Sequence, residues 1–406
     1  MPGSRQLGPA LLLAALLGAA FAPHSFLFGA TDWEKVYIPA AERLIAGETL
    51  YREAFVYPPA AVLLPLPALA VPAHFWPLHF WAMSLLGGIG LLLVGWRFTG
   101  GRFAWLPPWR ECATALLGLA AGFGYVFDVL VNRQIDLLLA GGVVAGCWCL
   151  AKRRPYAGAA LIGLAAAMKC TPLLFVPYLC WVGHRRAAAV VFAAALAANF
   201  VPDALYPPGD GQPRLKVWAE RVFAPKLASD QNPGEWYAAV GFNHSLSGWT
   251  TRLGTAELIR RDGAWDVRPR ADPASPKALK LVVASAALSL LILAAWATRR
   301  SRGVTPLGVG MTLALMVLLS PMSSKPHFCV LVIPAWALAR AGFERSRKLH
   351  VVSAVVAVLG LLPNKDLLGG DAYDWILWNG AVPLGALALF AGCVWAARLT
   401  PPPAAS

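Results

Sequence analysis

Four short stretches of the chain hold most of the residues able to do acid–base or anion-binding chemistry. One is Asp32 in Asp32-Trp33-Glu34-Lys35; a second is Asn132-Arg133-Gln134-Ile135-Asp136. A third is Lys169 in Met168-Lys169-Cys170-Thr171-Pro172, and the fourth runs from Ser320-Pro321 to Lys325-Pro326-His327. Asp32, just ahead of a helical pattern, could be a helix cap or a general base on a fixed element. Arg133 carries a planar fork suited to phosphate, or it closes its own loop on Asp136 or Asp128. A lone cation in a membrane span costs about 2.5–3.5 kcal/mol on insertion scales, so Lys169 requires an anion. That anion is either a protein acid such as Asp136 or a ligand phosphate. Lys325 and His327 set a cation and a titratable imidazole at one depth, although a single histidine is commonly structural. Asn243-His244-Ser245-Leu246-Ser247-Gly248 could hydrogen-bond sugar hydroxyls, form a capped turn or serve as a glycosylation sequon.

Other chemistries lose support. There is no Walker loop, no G-x-G-x-x-G after a strand, no H-E-x-x-H and no G-x-S-x-G. The seven cysteines form no C-x-x-C pair and read as apolar packing.

The elements that must position these residues are membrane helices. Of 406 residues, 58% are hydrophobic and 14% charged, and the mean hydropathy is +0.57. A soluble domain carries about 25% charged residues. Apolar runs fall at 7–28, 77–96, 111–129, 134–151, 187–204, 278–298, 304–320, 328–342, 350–363 and 375–397. The stretch 155–183 lies between the clusters Lys152–Arg154 and Arg185–Arg186 and is broken at Lys169–Pro172. It reads as two short helices that enter and return. The expected architecture is therefore all-α and polytopic, with about 12 membrane segments in one domain over 1–400 and a disordered tail at 401–406. The apolar run near the N-terminus reads as a retained span rather than a cleaved signal peptide.

Charge supports this topology. The segments assigned to the cytoplasm hold 17 of the 35 Lys and Arg residues but only two of the 21 acids, Glu111 and Glu344. The net charge of +14 thus reports orientation, not nucleic-acid binding. The four reactive stretches share the opposite, outer face. So do a first loop at 30–58 and a long loop at 205–278. In the first loop, Trp33, Val36, Tyr37, Ala40 and Leu44 recur at helical spacing, which predicts an interfacial amphipathic helix ending at Gly47. Pro58–Pro72 reads as an interfacial or re-entrant segment, or as a stiff connector. Acids, cations and a histidine at the outer ends of spans suit a transferase acting on a lipid-borne substrate. They equally suit a transporter or flippase vestibule, which is the main rival.

Several of these stretches carry a resemblance. Asp32, Tyr37, Ala40-Ala41, Leu44, Gly47, Leu50-Tyr51, Phe55 and Tyr57-Pro58-Pro59 together resemble the first-loop signature of glycosyltransferase family 87. Arg133-Gln134-Ile135-Asp136-Leu137-Leu138-Leu139 is similar to its (G/N)-Q-x-(D/N)-L-L-L segment. Gly163 through Phe175 resembles its G-x-A-x-x-x-K-x-x-P-L-L-F hairpin. Asn243–Gly248 resembles its N-Q-S-L-x-G loop, with His244 in place of Gln. Ser320–His327 resembles its S-P-x-S-x-x-H-H turn, with Pro326 before a single His. The matches run in order over about residues 30–330.

The resemblance implies a GT-C fold and an inverting, polyprenol-phosphate-mannose-dependent α-1,2-mannosyltransferase. It would sit in the bacterial inner membrane with its site facing the periplasm. It implies Asp32 as general base and His327 near the acceptor, which would be a lipid or glycan. Tyr57, Arg133, Gln134, Asp136, Lys169, Asn243 and Lys325 would line the substrates, with Lys169 and Arg133 on the lipid phosphate. No cofactor and no metal is called for.

Overall fold

The computed structural model describes residues 4–27, 31–52, 55–227, 232–233, 243–261, 263–301 and 303–399. The tail at 401–406 lies outside them. The chain divides into two compact units. Unit 1 comprises residues 1–107 and 127–225, and unit 2 comprises 108–126 and 226–406. The boundary falls within the helix Trp109–Asn132.

Seven helices among the described residues are long and apolar enough to cross a membrane, or eight if one bent pair counts as a span. This is a multi-pass membrane protein. The expected count of about 12 is not reached by length. Asp136–Ala151, Pro155–Met168, Thr171–Trp181 and Pro306–Leu318 are apolar but short. At 1.5 Å per residue, a helix of about 16 residues spans about 24 Å of a core roughly 30 Å thick. Two other expectations change. The run 375–397 is not one helix: Lys365–Trp378 ends, Gly380 turns at φ +93°, and Ala381–Arg398 begins. The pair Arg347–Leu361 and Lys365–Trp378 bends by 84°.

The all-α expectation also needs amending. An antiparallel hairpin, Ala256–Arg261 with Ala264–Pro269, sits in the long loop and pairs Ala256 with Pro269 and Arg261 with Ala264.

In unit 1, glycines let the helices approach closely enough to fix the site. A Cβ on Gly87 would lie 2.4 Å from the Leu137 carbonyl carbon, and one on Gly141 would lie 2.4 Å from the Gly87 oxygen. These contacts lock Trp76–Gly88 onto Asp136–Ala151. Gly146 and Gly158 similarly seat Asp136–Ala151 against Pro155–Met168. Close packing of small residues is how helices associate where lipid supplies no hydrophobic drive. Running antiparallel, the two short helices bring the end of one, at Lys169, beside the start of the other, at Asp136.

The predicted break is present. The helix stops at Met168, Lys169 is extended (φ −154°, ψ 118°), and a 3-10 turn, Thr171–Leu174, leads into Phe175–Trp181. Pro172 supplies no N–H for a continuing helix.

The first-loop helix also forms, as a π-helical turn, Trp33–Tyr37, followed by Ile38–Ile45. Trp33, Tyr37, Ala40 and Leu44 are buried on its apolar face, and Gly47 has φ +70°. Trp33 stacks on His79, with centroids 5.6 Å apart. Pro59–Leu63 is a 3-10 helix, held by the Ala60 N–H donating to Asn199 Oδ1 at 3.0 Å.

Candidate functional site

The unit 1 cluster is assembled from the first loop and three helix ends. Asp32 has helical backbone angles (φ −60°, ψ −33°) and makes no side-chain capping bond. The cap reading therefore fails. Its carboxylate Oδ2 instead accepts a 2.8 Å bond from Gln134 Nε2. Burial raises the Asp32 carboxyl above the ordinary range. The Gln134 bond opposes this, the Asp136 charge adds to it, and Lys169 and Lys35 pull it back. These effects act on a carboxylate held in reach of several charges, a setting suited to proton transfer.

Lys169 Nζ donates to Asp136 Oδ1 at 2.8 Å, with the two side chains 13% and 9% exposed. Of the two anions considered for Lys169, the protein acid is present. The ammonium also lies 5.8 Å from the Tyr57 ring centroid. Tyr57 stacks on Tyr37 at 5.2 Å, and burial pushes both phenols up, keeping them protonated.

The Arg133 guanidinium reaches the first loop and the end of the N-terminal helix. Nη1 meets the Glu34 carboxylate, Nε donates to the His24 carbonyl (3.3 Å) and Nη2 to the Ser25 carbonyl (3.0 Å). Arg133 adopts φ +48°, uncommon for a residue with a Cβ and a mark of a position held by its surroundings. Glu34 also accepts from the Thr31 N–H at 3.1 Å. Arg133 and Glu34 thus brace both sides of Asp32. Sequence reasoning missed Glu34. Its signal was Thr31-Asp32-Trp33-Glu34, the T-x-x-E spacing of a capping box.

The unit 2 cluster joins the two remaining motifs. Asn243 Nδ2 donates to the Pro321 carbonyl at 2.9 Å. Asn243 Oδ1 accepts from the N–H groups of Ser245 (3.1 Å) and Ser323 (3.0 Å). The His244 N–H donates to the Ser323 carbonyl at 2.7 Å. Ser245 caps Leu246–Thr255 by accepting from the Gly248 N–H. A Cβ on Gly248 would lie 2.3 Å from Asn243 Cγ, which explains the glycine. The capped-turn reading describes this loop. Asn243 is 5% exposed and its amide is engaged, so it does not serve as a glycosylation acceptor.

Lys325 Nζ donates to the Tyr373 hydroxyl at 3.1 Å and lies over its ring at 5.0 Å. His327 Nε2 lies 3.3 Å from Ser324 Oγ. Arg252, buried at 3% exposure, donates to the carbonyls of Asn243 (3.0 Å), Trp378 (3.2 Å) and Leu377 (3.3 Å). Burial and the charges of Arg252, Lys325 and His327 push His244 down to about 3, so its ring is neutral. Sequence reasoning missed Arg252 and Tyr373. Neither belongs to a motif; they are brought in by the bent helix pair and the loop.

Fold and sites together define a multi-pass membrane protein with two built polar clusters, one in each unit. The model of glycosyltransferase family 87 matches residues 55–321, more than half of the chain, and the chain belongs to that family. Tyr57, Arg133, Gln134, Asp136, Lys169 and Asn243 lie inside the match; Asp32, Lys325 and His327 lie outside it. The structure is similar to the crystal structure of ArnT from Cupriavidus metallidurans bound to undecaprenyl phosphate. The likeness has 17% identity and a TM-score of 0.42, covering 96% of this chain and 76% of that one. No curated protein matches the sequence.

Proposed function

We propose that this chain is a GT-C-type transferase moving a sugar, mannose by its resemblance, from a polyprenol-phosphate donor to an acceptor hydroxyl. The acceptor is a lipid or glycan, and the reaction faces the periplasm across the bacterial inner membrane. The observation that carries the reading is the unit 1 cluster. Asp32 is not spent on a cap, is oriented by Gln134, and is desolvated enough to favour taking a proton.

In the proposed step the acceptor oxygen forms a bond to the anomeric carbon from the face opposite the phosphate. Its proton passes to Asp32. The bond between the anomeric carbon and the phosphate oxygen breaks, and its electron pair leaves with the polyprenyl phosphate. Charge on a phosphate leaving group needs neutralisation more than protonation. Lys169 supplies it, exchanging part of its bond to Asp136 for the phosphate. Arg133, engaged with Glu34, acts here as a positioning residue for Asp32 rather than on the phosphate. Tyr57 packs against the sugar.

The purified protein, incubated in detergent with a panel of polyprenol-phosphate sugars and candidate acceptors, should consume one donor and release polyprenyl phosphate. Consumption of none of them, with or without acceptor, would contradict the reading. A transporter gives that second result, since it changes nothing without two compartments.

A further inference from the structure

Arg214 is a charged group that the proposed mechanism leaves unused. It opens the short helix Arg214–Trp218 in unit 1 and is 2% exposed. Nη1 donates to Asp203 Oδ1 at 2.8 Å and to the Tyr206 carbonyl at 2.6 Å. The Arg214 N–H donates to the other oxygen of Asp203 at 3.0 Å. This carboxylate and Tyr206 therefore fix one side of the guanidinium. Nε and Nη2 are buried and meet no acceptor among the described residues. Their N–H bonds lie on one edge of the guanidinium plane and point the same way. That edge matches two oxygens of a phosphate or carboxylate. Buried donors left without acceptors are rare in folded proteins.

A second buried donor lies nearby. The Tyr51 hydroxyl has no partner among the described residues, and Asp203, Arg214 and Cys170 are within its electrostatic reach. Burial raises the Tyr51 phenol, so it stays protonated and can donate. Cys170 follows Lys169 directly. Tyr51 also begins an aromatic series through Phe55 (6.1 Å) and Tyr57 (5.7 Å) to Lys169. The edge is thus continuous with the candidate site and separate from its catalytic groups.

We infer that the Nε/Nη2 edge of Arg214, with the Tyr51 hydroxyl, is a second oxyanion subsite in unit 1 that takes a phosphoryl group. The choice of phosphoryl over carboxylate rests on the proposed lipid-phosphate chemistry. Asp203 holds the guanidinium in place without occupying the fork. Lys cannot replace Arg here, because an ammonium keeps the charge and the Asp203 contact but has no second parallel N–H.

The test titrates the full chain in detergent with undecaprenyl phosphate, followed by tryptophan fluorescence, and repeats the titration with inorganic phosphate present. Arg214→Lys should weaken undecaprenyl phosphate roughly tenfold and Tyr51→Phe roughly threefold, as loss of a charge-assisted and a neutral hydrogen bond requires. Neither should shift the ligand-free melting temperature by more than a few degrees. Displacement by millimolar inorganic phosphate assigns the fork to phosphate as such, and resistance assigns it to the lipid-borne group; either upholds it. Unchanged affinity in both variants would overturn it. If Arg214→Lys fails to fold, Tyr51→Phe alone decides. A wild type that binds inorganic phosphate through Arg214 but no polyprenyl phosphate keeps the subsite and refutes the donor. A wild type that binds neither refutes the subsite.

Discussion

The two polar clusters solve opposite electrostatic problems. In the unit 1 cluster Lys169 meets Asp136 and Arg133 meets Glu34. The remaining carboxylate, Asp32, is held by an uncharged amide and pushed towards taking a proton. In unit 2 Arg252 is satisfied by three main-chain carbonyls and Lys325 by a phenol, and the nearby histidine, His244, stays neutral. The contrast teaches which cluster is set up to exchange protons. Ion pairs around a single desolvated carboxylate leave one group ready to change charge. Cations tied to carbonyls and a ring forced neutral hold geometry and receive negative charge without changing state.

That comparison can be broken by substitution. Asp32→Asn should have the largest effect, lowering kcat by about 10²–10⁴, the usual contribution of a general base, with donor binding retained. Steady-state transfer alongside a donor titration measures both. Lys169→Met should lower kcat by about 10², as expected for loss of one group stabilising a developing negative charge. It also strands Asp136, so Lys169→Arg is the companion variant and should recover part of the rate. Neither prediction holds if unit 1 is purely structural.

Changes in unit 2 should register in stability first. Asn243→Ala removes the partner of two buried N–H groups and a carbonyl, at about 1–3 kcal/mol for each group left unsatisfied. The readout is the melting temperature in detergent. His244→Gln should have the smallest effect at neutral pH. The folded ring stays neutral down to about 3. An unfolded histidine takes a proton near pH 6.5, so the wild type loses stability as pH falls below that value. His244→Gln should flatten this decline, which melting curves at pH 7 and pH 5 would reveal. A decline of equal steepness in the variant would place the sensitivity elsewhere.

Local features were the ones legible in the sequence. The Lys169 break was readable because a lone cation and Pro172 interrupt an apolar run, and both act within a few residues. The first-loop helix was readable from the spacing of Trp33, Tyr37, Ala40 and Leu44. The partners of the charged groups were not readable. Arg133 meets Glu34 across 99 residues and Gln134 meets Asp32 across 102, and nothing local points to partners so distant in the chain. The number of crossings was not readable from apolar runs, because several of them form helices shorter than a straight crossing. The hairpin at Ala256–Pro269 was hidden in a charged loop whose strands do not alternate cleanly. Its one local sign was Asp262-Gly263, a common hairpin-turn pair.

The central claim is that Asp32 ionises as the base, with its proton affinity set by burial and by Gln134. Its most direct test is the acid limb of kcat/KM against pH in wild type and Gln134→Ala. A base must be deprotonated to act, so activity should rise through the Asp32 value, which lies above the ordinary carboxylate range. Removing the Gln134 bond, which favours the charged form, should move that limb further up in pH while transfer persists at high pH. A limb at the ordinary carboxylate position, or one unmoved in Gln134→Ala, would contradict the account.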